Sequence, residues 1–312
     1  MQWGQIKTLF IICFLILNIF LAKQLLDRQD EEIGLIPVTS REEELEFNIN
    51  GLEDLADETF TAPLIYSQNY NYNQDPDVFE TLPDQEIIVV EDYYLLSRFS
   101  EPIPFDFEDP DDSLGSYIFR GDHYSYWDHI DSAQVLVYFQ KMENTIFYNP
   151  NAVLFIHLND AGEITQYAQT QLNMIGDSDE ERTLIQQYDA VFRLYHYSNE
   201  LQTGDVISDV ILGYHNLVSL PNGEQLLNPT WGIQVNEREH HFINAIDGHN
   251  YPKSEEFYEN SINHFIDLFE RNESEEMVFY HTGDEDDEER LLERVRQTLS
   301  DVYQNIIEVD IE

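Results

Sequence analysis

Cysteine is almost missing from this chain. The only one, Cys13, sits in an apolar run near the amino end, so the remainder can form no disulfide and offers no thiol for nucleophilic chemistry. Cations are scarce too: 15 Lys and Arg stand against 62 Asp and Glu, for a formal net charge of −47. A body so charged repels nucleic acid and anionic lipid, which excludes both as its electrostatic partners. Motifs of the common enzyme classes are also absent: there is no G-x-S-x-G, no G-x-x-x-x-G-K-[ST] and no H-E-x-x-H. Carboxylates are so abundant that no acid–base pair can be picked out.

The histidines do not group as ligands. His123 and His129 flank Tyr124-Ser125-Tyr126-Trp127-Asp128, with Asp122 and Asp128 beside them. His240 and His241 are adjacent and His249 follows. Consecutive strand residues face opposite ways, so His240 and His241 cannot easily share one ion. No metal site, cofactor or catalytic residue is therefore expected. The acid itself has two readings. It is a surface for a basic partner, or a coat that keeps the protein soluble in a salty or alkaline medium. Its spread along the whole chain favours the coat.

Long hydrophobic runs are lacking as well, with one exception. Thr8 to Ala22 carries no charge, and Asn18 is its one strongly polar residue. A helix through residues 6–26 would be about 30 Å long, the thickness of a bilayer core. Lys7 and Lys23 can snorkel to its two faces, and Trp3 suits an interface. Ala22 is a lone small residue and Leu25-Leu26 continue the apolar character, which argues for a retained anchor over a cleaved signal peptide. Basic residues are balanced across the span. The short amino-terminal flank favours the amino end inside and the body outside. Asn18 is either a contact to another membrane helix or an amide that reaches water or its own backbone.

Beyond the anchor, 42% hydrophobic and 13% aromatic content support a real core. Residues 1–5 read as a cytoplasmic stub, 6–26 as the anchor and 27–59 as an acidic stalk. Ser40 with Glu43 forms a candidate capping box for a short helix in that stalk. Residues 60–148 form a first α+β subdomain, with strands expected at Glu86–Val90, Tyr117–Arg120 and Gln134–Phe139. Asn69–Gln74 reads as a loop, and Pro102, Pro104 and Pro110 mark an acidic loop.

Residues 149–252 form a second α+β subdomain. Ala152–Leu158 and Glu163–Gln171 make a hairpin about Asn159-Asp160-Ala161-Gly162. A helix is expected next, capped by Ser178 with Glu181, with Leu184, Tyr188, Val191 and Tyr195 on one face. Then come a strand over Val206–Leu220, a turn at Pro221-Asn222-Gly223, a return over Glu224–Leu227, and a last hairpin of Pro229–Val235 with His240–Ile246. Residues 253–312 form an acidic helical extension. Tyr258, Ile262, Phe265 and Phe269 line one helix, and Leu291, Leu292, Val295, Leu299 and Val302 a second, after the run Asp284–Glu289. It reads as an appendage on the body, with partner binding as the alternative. The order is α+β with antiparallel sheets, not alternating βαβ.

Several segments carry a resemblance. Trp3, Ile6-Lys7-Thr8, Phe10-Ile11-Ile12 and Phe14 to Leu21 resemble the amino end of the YycI (WalI) proteins. Asn149-Pro150, Gly162 to Tyr167, Leu212-Gly213-Tyr214 and Leu227 to Trp231 are similar to the body of the YycH/YycI family, in the same order over roughly residues 1 to 250. Trp231 to Gly248 also resembles the end of a PepSY-type module, a non-catalytic fold. The resemblance implies a single-pass membrane protein with its body outside the cell. It implies a non-enzymatic regulator of the WalK/WalR two-component system in cell-wall homeostasis, acting on a WalK-type sensor histidine kinase with a YycH-type partner through transmembrane helix contacts. Asn18, with Phe14 and Ile11, is then the candidate contact set. The alternative is a tethered module that senses a ligand or wall fragment. The acidity and the segment after residue 253 lie outside the resemblance.

Overall fold

Alternation along the central strands determines the architecture. The computed structural model describes residues 40–309 except 83, 112, 113, 115, 144, 179, 199, 220–223, 252, 253 and 272–276, and before them Lys7, Phe14, Leu15, Leu17 and Asn18. Two compact units separate, Met1–Phe47 and Asn48–Glu312. Among the described residues no helix is long and apolar enough to cross a membrane, and the expected span at 6–26 lies largely outside them. Helix α1 (Arg41–Asn48) starts as expected. Glu43 N donates to Ser40 Oγ at 3.1 Å and Ser40 N donates to a Glu43 carboxylate oxygen at 3.0 Å, a complete capping box.

The larger unit is α+β. Its strands are β1 (Thr61–Ala62), β2 (Ile65–Asn69), β3 (Gln85–Val90), β4 (Tyr94–Pro104), β5 (Tyr124–Ile130), β6 (Val135–Met142), β7 (Thr145–Tyr148), β8 (Val153–Leu158), β9 (Glu163–Gln169), β10 (Leu172–Asp177), β11 (Arg182–Thr183), β12 (Ile207–Ser219), β13 (Glu224–Val235), β14 (Glu239–Asn244) and β15 (Met277–Tyr280). The helices are α2 (Pro76–Phe79), α3 (Gln187–Arg193), α4 (Ser254–Arg271) and α5 (Glu285–Val309). One 13-stranded sheet runs β10-β2-β13-β12-β7-β6-β8-β9-β4-β3-β15, with β14 beside β13 and β5 beside β6. Every pairing in it is antiparallel except β7 with β12.

Residues on β3, β6 and β8 alternate between two cores, as a period of two requires. Ile88, Val90, Val135, Val137, Phe139, Val153 and Phe155 point to one core. Ile87, Val89, Leu136, Tyr138, Leu154, Ile156 and Leu158 point to the other. Both faces are therefore buried, which is why these strands read as continuous apolar runs. The second face is covered by α2, which supplies Phe79, and by turns and short segments carrying Tyr70, Tyr72, Leu114, Ile118 and Phe119. The first is covered by α4 and α5. Tyr258, Ile262, Phe265, Leu291, Val295, Leu299, Val302 and Ile306 are buried there, following the expected helical spacing. The side chain of Phe269 lies outside the described residues. The acidic run before α5 puts Glu285, Asp286, Asp287 and Glu288 in its first turn, where the helix dipole favours negative charge.

Several expectations are corrected. Tyr117–Arg120 is a turn, not a strand. Ile118 N bonds Leu114 O at 3.0 Å and Gly121 N bonds Ile118 O at 3.0 Å, so local bonds satisfy a backbone whose Ile118 and Phe119 are buried. Pro102 and Pro104 lie in β4, not in a loop. Both come after Phe99, the last β4 residue paired with β3, so they remove no bond from that pairing, and Pro102 falls inside a register shift between Arg98 and Ile103 in the pairing with β9. Ser178 caps no helix: its hydroxyl accepts from Leu64 N at 3.0 Å, Arg182–Thr183 pairs with Thr61–Ala62, and α3 begins only at Gln187. Glu224–Leu227 and Pro229–Val235 are one strand, β13. Asn228 and Pro229 fall between the stretch that pairs with β2 and the stretch that pairs with β14. The turn expected at Pro221–Gly223 lies outside the described residues.

The α4/α5 layer is core. Phe265 is 2% exposed and meets Tyr94 and Phe155 edge-on, at centroid distances of 5.8 and 6.3 Å. Phe265→Ala should cost about 3–5 kcal/mol of unfolding free energy. Urea titration of the wild type and the variant measures it, and a loss below about 1 kcal/mol would show that the helices merely rest on the sheet.

Candidate functional site

Cations mark one concave place in an acidic chain. A cleft of about 490 Å³ is lined by Arg120, Asp122, His123, Gln140, Lys141, Met142, Glu143, Gln171, Leu172, Asn173 and Met174. That volume is in the range of small-ligand sites. Three stretches build it: the turn at Arg120–His123, the end of β6 with its turn, and the start of β10.

Arg120 is held from two sides. Its guanidinium carbon lies 4.5 Å from the Tyr70 ring centre and 5.3 Å from that of Phe119, and one Nη lies 3.4 Å from Asp75 Oδ2. Tyr70 donates its hydroxyl proton to the same carboxylate oxygen. Burial first, then that bond to Asp75, pushes the Tyr70 phenol up to about 12, against the lowering field of Arg120. Lys141 Nζ lies 3.5 Å from Asp111 Oδ2, a long contact. Asp111 is already engaged, accepting from Ser125 Oγ at 3.0 Å and Tyr126 N at 2.6 Å.

The floor is made of amides. Gln140 Nε2 donates to Leu172 O and its Oε1 accepts from Leu172 N, both at 2.8 Å, as a neighbouring strand would. Gln171 is 3% exposed, and its buried Oε1 has no partner among the described residues. Of the lining residues, the sequence singles out only Asp122 and His123. The signal was there: Arg98, Arg120 and Lys141 are the Lys and Arg residues between positions 60 and 148, and two of them face one cleft.

The residues expected to matter lie elsewhere. Phe14 and Asn18 are helical and exposed, Phe14 at 62%, while Ile11 lies outside the described residues. His129 sits on β5 with its Nδ1 3.0 Å from Asp131 Oδ1. His240 and His241 are buried on β14. Among the described residues no three His, Cys, Asp or Glu side chains converge on a point where a metal could sit.

His240 belongs instead to an aromatic block. Its ring centre is 4.3 Å from Trp127, which packs 5.0 Å from Tyr148 and 5.9 Å from Phe242. Tyr148 lies across the glycines of two neighbouring strands. A Cβ on Gly232 would come within 2.5 Å of its hydroxyl, and one on Gly213 would press on its ring, so both positions need glycine. His215 stacks on Tyr251 at 3.9 Å and 11°. Burial lowers His215 to about 4, and burial with the nearby His241 lowers His240 to about 4.

Both imidazoles are neutral in the folded state while the unfolded chain takes up protons near the ordinary value of about 6.5. Their contribution is complete above pH about 6.5 and is lost as the pH falls towards about 4, by up to roughly 3 kcal/mol each. Denaturant midpoints of the wild type should drop over this window, and those of His240→Gln should drop less. Equal slopes for the two would remove the buried imidazole as the cause.

A family model described as YycI protein matches residues 38–246, a span that contains the whole cleft and ends before α4. No curated protein matches the chain.

Proposed function

Because the chain belongs to the YycI family, whose context is regulation within the WalK/WalR system, we propose that it is a non-enzymatic, membrane-anchored regulator of a WalK-type sensor histidine kinase, working with a YycH-type partner. In this reading residues 6–26 span the cell membrane once, the amino end is cytoplasmic and the body is outside. The segment Trp231–Gly248, which contains the end of β13 and all of β14, is the end of a PepSY-like module. The family match carries the reading. The uncharged run Thr8–Ala22 supports the anchor, and helical, exposed Phe14, Leu15, Leu17 and Asn18 support a helix that presents a contact face.

The contact acts through Asn18, Phe14 and Ile11. An amide in a membrane helix is costly alone and favourable when it bonds across to another helix. Replacing Thr8–Ala22 with an unrelated membrane helix should abolish regulation of WalR-dependent transcription while the body stays folded. Asn18→Leu should lower co-purification of the kinase from membranes about three- to tenfold. Unchanged transcription after the helix swap would sink the mechanism.

The cleft favours a second reading, in which the body binds a ligand outside the cell and the helix only tethers it. Exporting the body without its anchor separates the two, because a free body restores regulation only under this second reading.

A further inference from the structure

We propose that the cleft binds a short extended peptide with a free carboxylate end, which adds as a strand to the open edge of β10. The inference deepens the second reading and rests on the cleft being a binding site.

Among the described residues β10 is the terminal strand of the sheet, and β2 is its neighbour on one side. Tyr70 N donates to Gln171 O at 2.8 Å, which sets the phase of their ladder. In an antiparallel pair, bonded and non-bonded positions alternate. Leu172 opposite Asn69 is therefore a non-bonded pair, Asn173 opposite Gln68 a bonded one, and Met174 opposite Ser67 again non-bonded. The N–H and C=O of Leu172 and Met174 thus turn away from β2. At Leu172 this is seen directly, because both groups meet the side-chain amide of Gln140. Gln140 takes one step of a missing strand, and Met174, two residues on and also lining the cleft, offers the next.

The edge ends soon after. The register shifts between Met174 and Gly176, so Met174 offers the one pair of backbone groups, and a peptide of about three residues, at about 3.3 Å each, would set its middle residue opposite it. One wall holds the two cations that would take a carboxylate. Arg120 is fixed by Asp75 and two rings, and Lys141 reaches a carboxylate that other donors already occupy. Asp122 and Glu143, also in the lining, suit an amine at the other end. They oppose a phosphate, which would bring two charges into an already acidic body. Among the described residues no Phe, Tyr or Trp lines the cleft, so they supply no stacking platform of the kind that sugars and bases use. A zwitterionic peptide matches this set: backbone to the edge, carboxylate to Lys141 and Arg120, side chains against Met142 and Leu172.

Methionine supplies the test. Of the four in the chain, Met142 and Met174 line the cleft, while Met277 is buried beneath the helices and Met1 is the terminus. The full chain in detergent micelles, labelled with ¹³C at the methionine methyls, is titrated with tri-alanine. The Met142 and Met174 signals should shift together and saturate, and those of Met1 and Met277 should stay. Tri-alanine with a carboxamide end should bind about fivefold or more weakly, and so should tri-alanine to Lys141→Gln. Should that variant fail to fold, which the Met277 signal reports, the acid-against-amide comparison on the wild type still decides. Absence of shifts up to about 20 mM peptide, equal binding of acid and amide, or shifts at all four methyls would each overturn the proposal. So would Met142 and Met174 shifts that follow protein concentration without peptide, because the edge would then pair with a second copy. A chain that binds tri-alanine while kinase output stays unmoved keeps this inference and removes the sensor reading.

Discussion

Burial of the central strands on both faces is the constraint that the rest of the body answers. β3, β6 and β8 send alternate apolar residues into two separate cores. A sheet of this kind cannot leave either face to water, since each large apolar side chain left exposed forgoes about 1.5–3 kcal/mol. One face receives α2 and the turns around Tyr72 and Phe119. The other receives α4 and α5. The carboxyl-terminal extension is therefore an integral layer of this fold, although the family match ends at residue 246. Its strand β15 also closes the edge of β3, pairing Met277 to Val90 through Tyr280 to Ile87. Left open, that edge would offer four consecutive buried apolar residues to another chain, the pattern that invites aggregation.

The two ends of the sheet are consequently unlike. The β3 end is covered by the chain itself. The β10 end is short, turns polar and exposed towards Asp177, and carries a register shift, all of which discourage nonspecific pairing. What it keeps is a brief stretch of open backbone beside two cations. Between the ends, Tyr148 fixes where β12 and β13 can lie. Its ring occupies the space that side chains at Gly213 and Gly232 would need, and it joins Trp127 and Phe242 in one aromatic stack. Polar groups at this depth are kept neutral by burial: the Tyr148 phenol is raised and the His240 imidazole lowered.

Local signals were legible where no distant partner competes for the same groups. Ser40 and Glu43 form the box that their spacing announces, and Tyr258, Ile262 and Phe265 bury the face that their period draws. The same box pattern at Ser178 and Glu181 failed because both residues have partners far away in sequence. Ser178 bonds Leu64 and Glu181 accepts from Thr61 Oγ1 at 2.5 Å. Tyr117–Arg120 has strand composition, yet Arg120 takes a positive φ of 48° and the chain turns there. The strand Met277–Tyr280 is not legible, because four residues carry too little periodicity to separate them from a linker. The cleft was illegible for a related reason: its walls come from segments 20 to 50 residues apart, and amides such as Gln140 and Gln171 have no motif.

Charge ties the two halves of this picture together. With a net charge of −47, the long-range field of the body repels any anion, whatever a particular cleft offers. At physiological ionic strength that field is screened beyond about 8 Å, whereas a contact at hydrogen-bond distance is not. Selection among ligands therefore falls to the few cations that stand at a concave surface, and in the first half of the body those are Arg120 and Lys141. An acidic coat does not forbid recognition of a carboxylate. It confines such recognition to a place where Lys141, held only loosely by Asp111, stands next to backbone groups that lack a strand.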